Sequence, residues 1–127
     1  MLGVFERDVL GMLLDGKHPV LSVLRSQLLL CQVESREQTG SGFFTNLIVP
    51  RTCSPVSPSR LQIGDVFAEM AGLKYGADLT LFVSDGYMDF LEGTSFEEPW
   101  PASVGDYELS YSRSRSRDRS AIRLPKN

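Results

Sequence analysis

Four acidic side chains in the second half of the chain have types and spacing that could do chemistry. They are Asp65, Glu69, Asp89 and Glu92. Paired carboxylates bind a hard cation or share the two proton-transfer roles of acid–base catalysis. Both uses need at least two carboxylates on one face, and strand residues at odd spacing, such as Asp89 and Glu92, point to opposite faces. A small carboxylate-using enzyme, or a ligand- or metal-binding domain, therefore stands as the alternative hypothesis.

A second set of residues combines aromatic rings with acids, at a predicted β-hairpin and in the loop that follows it. Its members are Phe82, Tyr87, Asp89, Glu97, Glu98 and Trp100. Trp100 lies between two prolines. It is therefore either a rigid anchor at a protein interface or a lid whose indole packs over one end of a sheet. We take this set as the candidate protein interface.

The other common catalytic and metal-binding patterns do not occur in the sequence. The one histidine and the two cysteines, His18, Cys31 and Cys53, form no metal-ligand spacing. His18 directly precedes Pro19 and suits the N-cap of a helix. Neither the GxSxG elbow of a hydrolase nor the Gly-Lys-Ser/Thr ending of a phosphate loop is present. We therefore predict no catalytic residue and no cofactor, and we expect both cysteines to be free thiols.

The Asp85-Gly86 pair predicts a β-hairpin. Two β-prone runs, Leu79–Ser84 and Tyr87–Gly93, flank it directly. An Asp-Gly pair tolerates the positive φ angles of a two-residue turn whose twist matches that of the flanking strands. This is the clearest structural signal in the chain.

A regular two-residue turn at this pair also fixes the register of the hairpin. It sets Val83 opposite Met88 and Leu81 opposite Phe90. The core face is then expected to carry Leu79, Leu81, Val83, Met88 and Phe90. The other face is expected to carry Thr80, Phe82, Ser84, Tyr87, Asp89 and Leu91.

The remaining pattern predicts two helices followed by strands. Apolar residues recur at helical spacing over Leu2–Leu13 and again over Pro19–Leu28. Further strands are predicted at Gln32–Glu37, Phe43–Val49, Leu61–Met70 and Tyr107–Tyr111, with connections at 51–60 and at Ala71–Gly76. Helices segregated from strands define an α+β domain, with an N-terminal helical hairpin packed on a mostly antiparallel sheet of five to six strands.

Composition fits one domain and a short tail. The hydrophobic fraction is 42% and the net charge is −3, so a globular fold is expected and the charge names no partner. We assign residues 1–112 to the α+β domain and 113–127 to a Ser/Arg-rich flexible tail. Arginines from Arg113 to Arg123 leave nucleic-acid binding by this tail as a further alternative.

The segment LFVSDGYMDFLEGTSFEEPWP resembles a recurrent segment of a family of small uncharacterised bacterial proteins. Its pattern there is LFVxDGxxxxLEGxxxxEPWP. The stretches SREQTGSGFFTNLIVP, IGDVFAEMAGLKYGADL and FERDVLGMLLDGKHPVLSVLRSQL are also similar, so the likeness covers about residues 1–112. The resemblance implies a bacterial, single-domain α+β protein and brings no activity with it. The chain departs from the family after Tyr111, where it reads SRSRSRDRS.

These observations favour a non-catalytic bacterial protein-binding module, with a toxin-neutralising (immunity-like) or regulatory role. The expected partner is another protein, and we expect no cofactor and no membrane contact. No apolar run approaches the roughly 20 residues of a spanning helix, and no signal peptide is recognisable, so the expected location is the cytoplasm.

Overall fold

The computed structural model describes residues 1–111 and 122–123. The helices are α1 (Val4–Leu13) and α2 (Pro19–Leu28). The strands are β1 (Gln32–Gln38), β2 (Gly42–Ile48), β3 (Leu61–Met70), β4 (Leu73–Ser84), β5 (Tyr87–Ser95), β6 (Tyr107–Tyr111) and β7 (Ile122–Arg123). Apart from β7, the tail predicted at 113–127 lies outside the described residues.

The strands form one antiparallel sheet in the order β1-β2-β5-β4-β3-β6, and β7 also pairs with β3. Helix α1 packs on β3 and β4, and α2 packs on β5. The predicted α+β class is therefore confirmed, with both helices at the N-terminus and on one face of an antiparallel sheet. We call this covered side the helix face and the opposite side the open face.

The core lies between the helices and the sheet. Side chains of α1 and α2 that are buried there include Val9, Leu13, Leu21 and Leu24, and strand residues buried there include Ile63, Leu79, Leu81 and Leu91. Their alternation with exposed neighbours follows the helical period in α1 and α2 and the two-residue period in the strands. His18 is the N-cap of α2 as predicted, and its Nδ1 accepts a hydrogen bond from the Val20 N–H at 3.2 Å.

The hairpin between β4 and β5 has the predicted turn. Asp85 and Gly86 have φ angles of 54° and 86°, in the left-handed region that this turn requires. The turn is tied to α2 through Gln27, which is fully buried. The Gln27 Nε2 donates to the carbonyls of Ser54 and Gly86, each at 2.9 Å, and its Oε1 accepts the N–H of Met88 at 3.0 Å.

The predicted register beyond this turn is wrong. Val83 does oppose Met88, but the register then shifts, so Phe82 opposes Phe90 and Leu81 opposes Leu91. Asp89 is the extra residue of a β-bulge, and a bulge reverses the faces of all residues beyond it. Leu91 is therefore fully buried in the core, where Phe90 was expected, and Phe90 is half-buried on the open face.

A second correction concerns the connection predicted at Ala71–Gly76. Strand β4 begins at Leu73, and only Ala71 and Gly72 lie between it and β3. Gly72 has a φ of 95° and Gly76 a φ of 71°, so glycines absorb the left-handed backbone at this tight and irregular end of the hairpin. Gly72 therefore belongs to the turn, and Gly76 lies at an irregular position inside a long strand.

Candidate functional site

The four carboxylates of the enzyme hypothesis lie on two strands that are not neighbours. Asp65 and Glu69 belong to β3, Asp89 and Glu92 belong to β5, and β4 lies between these strands. Strands two apart in a sheet are separated by roughly 10 Å, so side chains of β4 stand between the two pairs of carboxylates. Within residues 1–111 and 122–123, no three His, Cys, Asp or Glu side chains are grouped to hold a metal ion.

A row of phenylalanines crosses the open face instead. Phe82 of β4 and Phe90 of β5 stack with ring centroids 4.5 Å apart and planes inclined by 15°. Phe44 of β2 meets Phe90 edge to face, with centroids 5.6 Å apart. All three rings are half-buried, and Ile48, four residues beyond Phe44 on the same face of β2, is 54% exposed. We call Phe44, Phe82 and Phe90 the aromatic row.

Acidic side chains border the aromatic row. Glu92 is paired with Phe44 across β5 and β2, and burial raises the pKa of its carboxyl group. Glu37 of β1 is paired with Phe44 across the other edge of β2. Its carboxylate accepts a hydrogen bond from the Asn46 amide at 2.9 Å. Asp78 lies on β4 on the same face as Phe82 and is exposed. This part of the sheet is therefore apolar at its centre and carries carboxylates on both sides of Phe44.

Tyr87 and Asp89, two members of the predicted interface, lie at the hairpin end of β5. The Tyr87 hydroxyl donates a hydrogen bond to the Cys53 carbonyl at 3.0 Å, and the Arg51 guanidinium lies 4.1 Å from the centre of its ring. Tyr87 is thus engaged by the loop between β2 and β3. Asp89 is exposed at the bulge, beside Phe90.

The acids of the Glu97-Glu98-Pro99-Trp100 loop have different positions. Glu97 is exposed and has a φ of 66°. The Glu98 carboxylate accepts the backbone N–H groups of Lys74 and Tyr75 at 2.7 and 2.9 Å. Glu98 therefore holds the loop against the start of β4, a structural task that its position in the sequence did not indicate.

Trp100 lies on the helix face, away from the aromatic row. Its ring centroid is 5.0 Å from that of Phe43, which alternates with the open-face residue Phe44 along β2. Its backbone N–H donates to the Gly40 carbonyl at 2.7 Å, and its side chain is half-buried. The predicted interface set is thus divided between two faces, with Phe82 on one and Trp100 on the other.

Sequence reasoning did not identify Phe44 and Phe90 as members of a surface. The signal for Phe44 was present, because Phe43 and Phe44 are adjacent in a strand and must point to opposite faces. Phe90 carried no such signal, since its face depends on the bulge at Asp89. The bulge therefore creates the aromatic row.

One buried carboxylate was also missed. Glu6 is 7% exposed and accepts hydrogen bonds from the Gly3 N–H, the Thr45 hydroxyl and two guanidinium nitrogens of Arg36, at 2.6 to 3.0 Å. Burial alone would raise the pKa of Glu6, but the bonds from Arg36, Thr45 and Gly3 outweigh it and lower the pKa to about 2. With every oxygen engaged, Glu6 links α1 to β1 and β2.

Both cysteines are free thiols, as expected, and burial raises the pKa of Cys31 to about 11. In the described part of the chain, no helix is both long and apolar enough to cross a membrane. Comparison with known proteins found no matching family model, no matching curated protein and no matching solved structure. The fold and the site thus define a two-layer α+β domain whose second sheet face carries aromatic rings bordered by acids.

Proposed function

We propose that this protein is a non-catalytic protein-binding module and that its open face receives the partner. The observation that carries the proposal is the bulge at Asp89, which turns Phe90 out of the core and stacks it on Phe82. β-Bulges commonly re-aim a side chain at a functional surface. A regular strand would have buried Phe90 and removed the aromatic row.

The aromatic row has the composition of an interface centre. Grouped and partly exposed apolar side chains on a soluble domain mark binding surfaces, and aromatic residues are enriched where binding energy concentrates. Phe44, Phe82 and Phe90 come from three adjacent strands, so a rigid sheet holds them in place. Little conformational entropy is lost when such a preorganised surface docks.

The acids select the chemistry of the partner. Glu37 and Glu92 flank Phe44 on the open face, and Asp78 lies farther along the same face, opposite Thr94. The raised pKa of Glu92 reflects a carboxylate that has lost solvation, so an approaching lysine or arginine would stabilise its charged form. We therefore assign the partner an apolar surface with basic residues at its edge. A second copy of this chain is a poor occupant, because it would bring like carboxylates together.

We also propose that the module works in the cytoplasm of a bacterium, in a regulatory or toxin-neutralising role. The bacterial assignment is supported by the resemblance of the segment ending in EEPWP. The two free thiols, Cys31 and Cys53, fit a reducing compartment. A toxin-neutralising role agrees with the charge of the surface, since an acidic face complements a basic partner.

Titration calorimetry with synthetic peptides tests the proposal. The probes are a peptide of alternating leucine and lysine, its leucine–glutamate analogue and its serine–lysine analogue. We expect the first to bind, the acidic analogue not to bind, and the serine analogue to bind at least about tenfold more weakly, because it lacks apolar side chains. Equal binding of the two lysine peptides would reduce the surface to an acidic patch and contradict the proposal.

Two substitutions locate the binding on the protein. Phe82→Ser removes the ring at one end of the row, on which Phe90 stacks, and should weaken binding of the leucine–lysine peptide by about tenfold or more. Leu29→Ser is the matched control, since Leu29 is 84% exposed and lies just beyond α2, away from the open face. Equal losses in both variants, or none in Phe82→Ser, would show that the open face is not the binding surface.

A further inference from the structure

A cleft of about 470 Å³ lies on the helix face, at the start of α1. Its walls come from α1, β1, β2, β6 and the loop between β5 and β6. The lining residues used below are Phe5, Phe43, Trp100, Val104, Tyr107 and Arg36. This volume falls within the range of small-molecule sites, roughly 300 to 1,000 Å³.

Four aromatic side chains form one side of the cleft. Phe5 meets Phe43 with planes inclined by 67° and Tyr107 with planes inclined by 83°, and Trp100 is inclined to Phe43 by 58°. In an edge-to-face pair the edge of one ring lies against the face of the other, so a wall built of such rings presents both edges and faces. A flat guest ring could therefore contact the face of one ring and the edge of another.

The polar end of the cleft is formed by Arg36 and Glu6. The carboxylate of Glu6 is fully engaged and its charge is compensated by Arg36. The Nε and Nη2 of Arg36 donate hydrogen bonds to the Glu6 carboxylate, and Nη2 also donates to the Met1 carbonyl. The Arg36 side chain is 53% exposed. Among the described residues its Nη1 makes no hydrogen bond, so this nitrogen can donate to a ligand.

We propose that this cleft is a binding site for a flat aromatic small molecule that carries an acceptor oxygen, such as a carboxylate or a carbonyl. The ring would pack against Phe43 and Trp100, and the oxygen would accept a hydrogen bond from Arg36. The site lies on the helix face, and the residue it shares with the acids of the open face is Glu37, whose carboxylate is held by Asn46. Neither proposal depends on the other.

The single tryptophan gives this site its own reporter. In the ¹⁵N-labelled full chain, one indole N–H resonance belongs to Trp100, so its shift can be followed while naphthalene-2-carboxylate is added. We expect a saturable shift with the carboxylate and with the neutral carboxamide. Naphthalen-2-ylmethylammonium has the same ring but a cationic donor group, and it should bind at least about tenfold more weakly. Equal or tighter binding of the ammonium compound would overturn the proposal.

Two neighbouring exposed residues provide matched variants. Val104 lines the cleft and is 40% exposed, so Val104→Glu should block the site without unfolding the chain. Ser103 is exposed beside it and does not line the cleft, so Ser103→Glu adds the same charge without blocking the site. We expect naphthalene-2-carboxylate to lose at least about tenfold in affinity only in Val104→Glu. No saturable shift in the wild type, or equal affinities in the two variants, would refute the site.

Discussion

Phe90 lies directly opposite Phe82 on the open face of the sheet, and their rings stack with centroids 4.5 Å apart. This pairing exists because Asp89 is an extra residue in β5. Residues before the bulge follow the register that the turn dictates, and residues after it are displaced by one position. One inserted residue thus exchanges Phe90 and Leu91 between the surface and the core.

The register has a direct consequence for stability. Leu91→Ala should lower the free energy of unfolding by about 2–5 kcal/mol, because Leu91 is fully buried and its truncation leaves a cavity. Phe90→Ala should cost only about 1 kcal/mol, since the Phe90 ring keeps part of its solvent contact in the folded state. Urea unfolding of both variants makes the comparison. A larger loss in Phe90→Ala would mean that the strand is regular and that the bulge does not exist.

Much of the fold could be predicted from local patterns in the sequence. The two wrong predictions, the register of the hairpin and the start of β4, have identifiable causes. The two helices, the N-cap at His18 and the Asp85-Gly86 turn each depend on a few neighbouring residues, so the sequence was enough to predict them. The bulge at Asp89 had no local signature, and the burial of Leu91 that accompanies it depends on residues distant in the sequence. The start of β4 was missed because glycines in turns and glycines in kinked strands are indistinguishable by composition.

The candidate site was predicted less well than the fold. Phe82 was expected on the face opposite the core, and it lies there. Trp100 was grouped with Phe82 because its loop directly follows the hairpin that contains Phe82, yet this loop carries the indole to the opposite face, against Phe43. Which face a loop residue reaches depends on the path of the chain in three dimensions, and spacing in the sequence does not contain that path.

Glu6 should control stability in acid. Its folded-state pKa of about 2 lies below the ordinary 4.5, so its contribution is complete above pH 4.5 and is lost as the pH falls toward 2. A depression of this size corresponds to about 3 kcal/mol. Urea unfolding across this pH range should therefore show a steeper loss in the wild type than in Glu6→Gln, which cannot titrate. Parallel curves for the two proteins would show that Glu6 has an ordinary pKa.

Gln27 should be a structural requirement of the hairpin turn. Gln27→Leu keeps the volume but removes three hydrogen bonds, and it leaves the Met88 N–H buried without its partner. We expect a loss of about 3 kcal/mol in the free energy of unfolding. The adjacent exposed residue provides the control, as Ser26→Ala should change stability by less than about 0.5 kcal/mol. Similar stabilities for the two variants would mean that the turn does not depend on α2.

Gly93 should be intolerant of a side chain because the Phe43 ring occupies its place. An added Cβ would come far too close to the Phe43 ring, so Gly93→Ala must displace that ring and with it the contact to Trp100. We expect a loss of about 1–3 kcal/mol and a change in tryptophan emission. Gly11→Ala is the control: an added Cβ meets nothing within 4 Å there. Because Gly11 lies within α1, Gly11→Ala should instead raise the free energy of unfolding by about 1 kcal/mol. Unchanged emission and stability in Gly93→Ala would contradict the packing described.

The central claim is that the partner binds the open face. The most direct test is to map where a basic and apolar probe binds. The measurement is the change in backbone amide resonances of the ¹⁵N-labelled chain on addition of the leucine–lysine peptide. The proposal predicts saturable shifts centred on Phe44, Phe82, Phe90 and Glu92, which disappear in Phe82→Ser and persist in Leu29→Ser. Shifts centred on α1 and α2, or shifts that survive in Phe82→Ser, would contradict it.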